Sequence, residues 1–548
     1  MKHIVYIVII IAIMLFPFYC FGAVYYVDYT NSETTSADTE LGTSTGAAWI
    51  HCPGDPRATD NADITLAAGD TVVFKGGVTY SFTNGGDADY IAANNSGTSG
   101  NVITYISGHV YGTPWGTGRA VIDGTYADLA WTSQPGVFNL KNYSYITVQG
   151  LEIENYPTYG GYWALLSWVG TTGGNIIIDN NFIHNSADNG ILLLLSGDDT
   201  APTNFDITNN TITLTNGHGI IVRGGFDDIL IENNSFDLNG VIVYAGETSA
   251  GNNIAFAGDW DDSSVSCTNL IVRGNDMGDS AEDNPSYTPT KSHILMFQEL
   301  TDPIFEDNYF HGKPQYSSID IAMKSGINGW IIRNNVFHDQ TAVWQGQIVF
   351  NGANGANGTF DGIKIYNNTF VSYPGGIGQA GILSFRKGTN TTSPQIVNLD
   401  IRNNIFDLDT DTTHPLIYIE TDDSAVPVVQ LSTLTINNNA YQTGKADDYF
   451  HSDGSTYNLA GWRIYLSGEN ATGADADSNF GQVTFTDEAG DDFTLDSSDT
   501  VAINEGTTLT GYTDDKDGET RVVPWDIGAY EYEAAAPANA IQGVSITP

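Results

Sequence analysis

Basic side chains are scarce in this chain of 548 residues: Lys and Arg total 19 against 65 Asp and Glu, for a formal charge of −46. Nucleic acid is therefore excluded as an expected partner, because phosphate backbones are gripped by clustered Lys and Arg. The same charge suits solubility in a salty or extracellular medium, and it opposes a polyanionic ligand unless calcium or a local basic strip overrides the overall field. Cysteine is scarcer still. Cys20 lies in the apolar N-terminal segment, and Cys52 and Cys267 are neither a disulfide framework nor in a metal-type spacing. Beyond the N-terminus there is no apolar run long enough to cross a membrane, and long helical apolar faces are hard to find.

The N-terminus is different. Met1-Lys2-His3 precedes an apolar run from Ile4 to about Phe21, followed by the small residues Gly22 and Ala23. This pattern reads as a secretory signal peptide over 1–23, which places the mature chain outside the cell or on its surface with no membrane attachment. An uncleaved anchor is the alternative, since the run is nearly long enough to span a bilayer.

What the chain does have is glycine (60), aromatics (11%) and many Asn, Thr, Ser and Asp residues. So long a chain without a composition break suits a solenoid, which grows by stacking rather than by enlarging one core. One phrase recurs: an apolar-x-apolar strand, then Asn-Asn, a variable residue and a large apolar residue. It stands at Ile178-Asp179-Asn180-Asn181-Phe182-Ile183 and Ile207-Thr208-Asn209-Asn210-Thr211-Ile212, and returns at Asn233-Asn234, Asp307-Asn308, Asn334-Asn335, Asn367-Asn368 and Asn403-Asn404. Weaker copies occur at Gly150-Leu151, Gly274-Asn275 and Asn437-Asn438-Asn439, and the copies lie 24 to 41 residues apart. Alternation turns one face of each short strand inward. Asn tolerates left-handed backbone angles, so it can turn a corner, and stacked Asn amides can hydrogen-bond along a ladder. The variable spacing places loops of different length at one corner.

A second strand precedes most copies. Aligned by their ends, these strands put Ser196, Arg223, Ala257, Gln298, Lys324, Asn351, Arg386 and Glu420 in one outward column. The fold expected is all-β: a single-stranded right-handed parallel β-helix with N-terminal and C-terminal caps. Its divisions are 24–140 for the N-terminal cap and first coils, 141–440 for the main coils, 441–533 for the last coils and cap, and 534–548 for a linker or tail. An irregular β-sandwich is the competing architecture.

The coils over roughly 140–440 resemble the parallel β-helix of pectate-lyase-like proteins. The segments Tyr25-Tyr26-Val27-Asp28 and Gly69 to Gly77 resemble the N-terminal coil of secreted bacterial β-helix proteins, and Asp492 to Glu531 is similar to their C-terminal cap. The resemblance implies that the Asn corner joins the second and third sheets and that the aligned column lies on the first, where such lyases cleave acidic polysaccharides. Nearest in motif is the alginate-lyase-like branch, in which a Lys and an Arg on this sheet serve as base and acid. Met323-Lys324-Ser325-Gly326 and Phe385-Arg386-Lys387-Gly388 match in type, with Arg386 two coils after Lys324. The implied function is β-elimination on a uronate-containing glycan, with Lys324 and Arg386 catalytic.

Elimination needs a neutralised carboxylate, removal of a carbon-bound proton and protonation of the leaving oxygen. Two coils separate Lys324 and Arg386 by about 10 Å at the backbone, within reach of their long side chains, with Asn351 between them as a neutral donor and Lys387 adding charge. Gln298 precedes Lys324 in the column. His311 and His338 should stack in consecutive coils and offer proton transfer or a substrate contact, with His184 similarly placed earlier. Trp344, Tyr316 and Tyr373 could stack on sugar faces. Two other readings stay open. A glycoside hydrolase would draw its carboxylates from pairs such as Asp198-Asp199, Asp227-Asp228 or Asp261-Asp262. A non-catalytic surface protein would simply bind glycan along its long face. The sequence requires no cofactor; calcium (Ca2+) is left open, Asp514-Asp515-Lys516-Asp517-Gly518 having some look of a calcium loop.

Overall fold

The computed structural model describes residues 22–532 except 31–40, 59–63, 83–89, 128–135, 158–162, 196–200, 241–250, 258–265, 279–291, 297–298, 313, 315–316, 323–326, 339–345, 352–358, 372–380, 388–395, 409–413, 422–426 and 446–448. The expected signal segment and tail therefore lie almost wholly outside it. One coil runs Gly174–Asp179, Phe182–Ser186, Asn189–Leu195, and the next begins at Thr203–Thr208. Equivalent strands pair in parallel, Ile178 level with Ile207, Ile183 with Ile212 and Ile191 with Ile220. The result is three long parallel sheets in a right-handed parallel β-helix. Pairing starts with Val24–Val27 on Thr71–Phe74 and continues to Asn479–Phe480 on Ala440–Thr443. The Asn corner joins the second sheet to the third. Chain segments of varied length leave both ends of the first-sheet strands, where one variable corner was expected.

Alternation builds the core. Inward residues of successive coils lie about 4.8 Å apart, which suits ring stacking: Phe310, Phe337, Phe370, Phe406 and Tyr441 stack in turn with centroids 4.6, 4.7, 5.1 and 5.5 Å apart. Cys52 and Cys267 are buried in this core without a disulfide. No helix among the described residues is long and apolar enough to cross a membrane.

The two positions of the Asn corner do different jobs. The first takes the left-handed conformation, with φ between 50° and 59° at Asn180, Asn209, Asn233, Asp307, Asn334, Asn367, Asn403 and Asn438, so only Asn, Asp or Gly fits there cheaply. The second is buried and forms the ladder. From Asn181 through Asn210, Asn234, Asn275, Asn308, Asn335, Asn368 and Asn404 to Asn439, each Nδ2 donates to the next Oδ1 at 3.0–3.1 Å.

One corner uses an acid. Burial, reinforced by neighbouring Glu306, pushes the Asp307 carboxyl up to about 7. A folded-state value above the unfolded one means that its contribution is fully present below pH 4 and lost as pH rises through about 7. Asp307→Asn, which keeps the corner geometry, is therefore expected to stabilise the protein at pH 8 by about 1–2 kcal/mol after discounting for partial exposure. At pH 4 it should change little. Urea unfolding at the two pH values measures the difference.

The last part of the chain departs from a simple terminal cap. The helix Leu459–Gly468 is N-capped by Asn458 and buries Trp462 and Leu466, with Trp462 stacked on Phe450 at 5.1 Å. The chain then turns back along the outside of the third sheet. Val483, Phe485, Phe493, Leu495, Ile527 and Ala529 cover Val336, Val371, Ile405 and Ala440, outward residues whose apolar surface would otherwise face water. Lys516 Nζ donates to the Asp307 carbonyl at 2.6 Å, Arg521 to Asn334 Oδ1 at 3.0 Å, and the Ala529 N–H to Thr369 Oγ1 at 2.9 Å.

Candidate functional site

The first sheet carries the column singled out in the sequence, and its register can now be read directly. Ile319 and Ile321, Ile348 and Phe350, Leu383 and Phe385, and Ile417 and Ile419 point inward into the core. Between them, Asp320, Val349, Ser384, Tyr418 and His451 share one outward column. Asn351 and Arg386 share the next, continued by Glu420 after Ile419, and Ala322 is level with Asn351 in the backbone ladder. This corrects the end-alignment. Ala322, rather than Lys324, stands level with Asn351, and Leu194, rather than Ser196, stands level with Arg223. Strand ends are a poor ruler because the strands differ in length. Lys324, Gln298 and Trp344 lie outside the described residues, as do Tyr316 and Tyr373.

The outer face changes character along the axis. In earlier coils the Asp320 column holds Leu192, Ile221 and Ala255, which bury one another. Asp320 puts an acid into it, followed by Val349 and Ser384, both fully buried, and then by Tyr418 and His451. Asp320 is 8% exposed, and burial pushes its carboxyl up to about 6, opposed by a hydrogen bond from Asn351 and by the charge of Arg386. Asn351 Nδ2 donates to Asp320 Oδ1 at 2.8 Å. Arg386 is half-exposed, with Nε 4.0 Å from Glu420 Oε2, and the Lys387 N–H donates to that same carboxylate oxygen at 2.9 Å. One coil on, Tyr418 and His451 stack with centroids 4.5 Å apart. Burial raises the phenol of Tyr418 and lowers the imidazole of His451. Asn351, Arg386 and Lys387 are thus brought together on one surface.

Asp320 was missed, although a signal existed: an acid between two inward isoleucines, in a column that is apolar in earlier coils. His311 and His338 do follow the stacked Phe310 and Phe337 in adjacent coils, but on the third sheet, away from Arg386. His311 Nε2 faces Asp276 at 2.7 Å, and His338 is buried with Nε2 3.3 Å from Asp491 of the returning segment. Asp227 lies on the second sheet, where it accepts from Thr268 and Asn269, and Asp198-Asp199 and Asp261-Asp262 fall outside the described residues. Asp515, in the segment with a calcium-loop look, already accepts from the backbone N–H groups of Asp517, Glu519 and Glu531. Its carboxylate organises the turn.

No family model matches the chain, and no curated protein matches it in sequence. Solved structures do match. A pectate lyase, Pel9A, is 16% identical with a TM-score of 0.43, over 93% of this chain and 96% of that one. XylC in complex with xylose is 12% identical with a TM-score of 0.45, over 78% and 86%. A lacto-N-biosidase from Eubacterium ramulus is 12% identical with a TM-score of 0.38, over 67% and 68%. At these identities the likeness is one of fold.

Proposed function

We propose that this protein is a secreted, polysaccharide-active β-helix enzyme that binds a uronate-containing glycan across the outer face of the first sheet and cleaves it by β-elimination. The observation that supports this most is Asp320: a buried carboxyl held near pKa 6, bridged by Asn351 and set two coils from half-exposed Arg386. Arg386 would neutralise the uronate carboxylate, its loose 4.0 Å approach to Glu420 being exchangeable for a bidentate pair with substrate. Asp320 would take the proton alpha to that carboxylate. The electron pair then forms the carbon–carbon double bond, the glycosidic C–O bond breaks, and the leaving oxygen takes a proton. Lys324, two residues beyond Ala322 in the chain, is proposed as the source of that proton.

Hydrolysis is the second reading, since Asp320 and Glu420 both present carboxyls on this face. They stand three coils apart, about 14 Å along the axis, whereas an inverting pair sits at roughly 6.5–9.5 Å. Elimination asks less of that spacing. Incubation with a panel of polyuronates and neutral glycans separates the readings. Elimination gives unsaturated products that absorb in the ultraviolet, hydrolysis gives reducing ends without that absorbance, and a binding protein gives neither. Activity on a polyuronate should disappear in Lys324→Ala and persist in Lys75→Ala.

A further inference from the structure

We propose that Glu152, Glu154 and His184 form a binding site for a divalent cation of the zinc type on the outer face of the third sheet, many coils from Arg386. In the strand Glu152–Tyr156 the two glutamates flank inward Ile153 and so point to the same outer side. On the next coil Phe182 is level with Glu152 and His184 with Glu154. Three donors therefore converge across one coil step. His184 Nε2 lies 3.1 Å from Glu152 Oε1 and 3.3 Å from Glu154 Oε2, and all three donor atoms lie within 4.8 Å of one another. A metal with bonds of about 2.0–2.2 Å sets neighbouring ligand atoms roughly 3.0–3.6 Å apart, so the two imidazole–carboxylate distances already match the edges of a coordination shell. A single Nε2–H, by contrast, makes one good hydrogen bond and leaves the second carboxylate facing it.

The charge balance points the same way. Asp123, one coil earlier, is level with Glu154 and brings a third carboxylate to the patch. Arg119 commits its guanidinium to the Asn180 carbonyl and side chain; its charge is felt at Glu152, but no Lys or Arg forms an ion pair with either glutamate among the described residues. Burial and the charges of Glu152 and Asp123 raise the Glu154 carboxyl, against the pull of His184. His184 itself is 8% exposed, and its ring plane is fixed by stacking on Phe182 at 4.1 Å. One imidazole nitrogen with two carboxylate oxygens favours a borderline cation over Ca2+, which prefers an all-oxygen shell. The cation would tie consecutive coils together.

The test uses the untagged protein, stripped with chelator and titrated with ZnCl2 by calorimetry, with Co2+ as a visible-absorption probe. One equivalent should bind the native protein and raise its Tm. Binding should weaken by at least the roughly tenfold that even outer-shell changes cost in both His184→Gln and Glu154→Gln, and persist in His311→Gln. Glu154→Gln keeps the side-chain shape, so loss of binding there with an unchanged circular dichroism spectrum cannot be misfolding. No zinc binding by the native protein, or undiminished binding in both variants, would overturn the site.

Discussion

Asp320→Asn is expected to lower kcat on the preferred glycan by about two to four orders of magnitude, the usual worth of a positioned proton-transfer group, while making the fold more stable at pH 8. The two effects have one cause. Burial holds the carboxyl near pKa 6, well above its unfolded value. Its stabilising contribution is therefore complete below pH 4 and lost as pH climbs through about 6, so the native protein at pH 8 carries a buried charge that Asn removes. The upper bound is about 3 kcal/mol for two pKa units. The Asn oxygen can still accept from Asn351, so packing is kept. If elimination proceeds as proposed, kcat/KM of the native protein should rise with pH through about 6, as Asp320 ionises, and this limb should vanish in the variant. Arg386→Gln supplies a second readout. Arg386 pulls the Asp320 carboxyl down, so its removal should move the same limb to higher pH as well as raise KM for a uronate. A merely structural Asp320 would leave the pH profile unmoved, and unchanged turnover in Asp320→Asn would remove it from the mechanism.

The coil architecture was legible because it rests on local chemistry repeated many times. An Asn-Asn pair after an alternating strand specifies a left-handed residue and then a buried amide, whatever the loops do. The outer face was harder to read. Placing Lys324 level with Asn351 required the strands to end together, and the ladder instead pairs Ala322 with Asn351. A shift of two residues keeps the same side of the sheet, so Arg386 and Asn351 were still found. Asp320 stands in the sequence as an acid between two inward isoleucines, but its elevated pKa does not, because that comes from burial in the folded coil, against the opposing pull of Arg386 more than sixty residues away in the chain. The histidines show a different limit. Their stacking could be read from Phe310 and Phe337, but His338 meets Asp491 and Phe493 only because the chain returns along the third sheet. No periodicity in residues 480–532 says which surface they will cover.

The largest stability contrast is expected within one dipeptide. Asn209 and Asn210 are neighbours of the same type, yet Asn209→Gly should change stability by less than about 1 kcal/mol, whereas Asn210→Ala should cost roughly 3–5 kcal/mol. Asn209 is exposed at φ 54°, a conformation glycine adopts freely, and it would give up only an exposed hydrogen bond to Asp179. Asn210 is 1% exposed. Its Nδ2 donates to the Ile178 carbonyl at 2.8 Å and to Asn234 Oδ1 at 3.0 Å, while its Oδ1 accepts from the backbone and side-chain nitrogens of Asn181 at 2.9 and 3.0 Å. Truncation strands polar groups on the two flanking coils, at Ile178 and Asn181 on one side and Asn234 on the other, and each stranded group costs about 1–3 kcal/mol. Because a solenoid is stabilised largely through contacts between neighbouring coils, the loss should open the coils around residues 175–240 before it unfolds the whole chain. Hydrogen exchange should therefore accelerate first in the strands Gly174–Asp179, Thr203–Thr208 and Asp227–Glu232. Equal effects from Asn209→Gly and Asn210→Ala would mean that the ladder adds nothing beyond the turn.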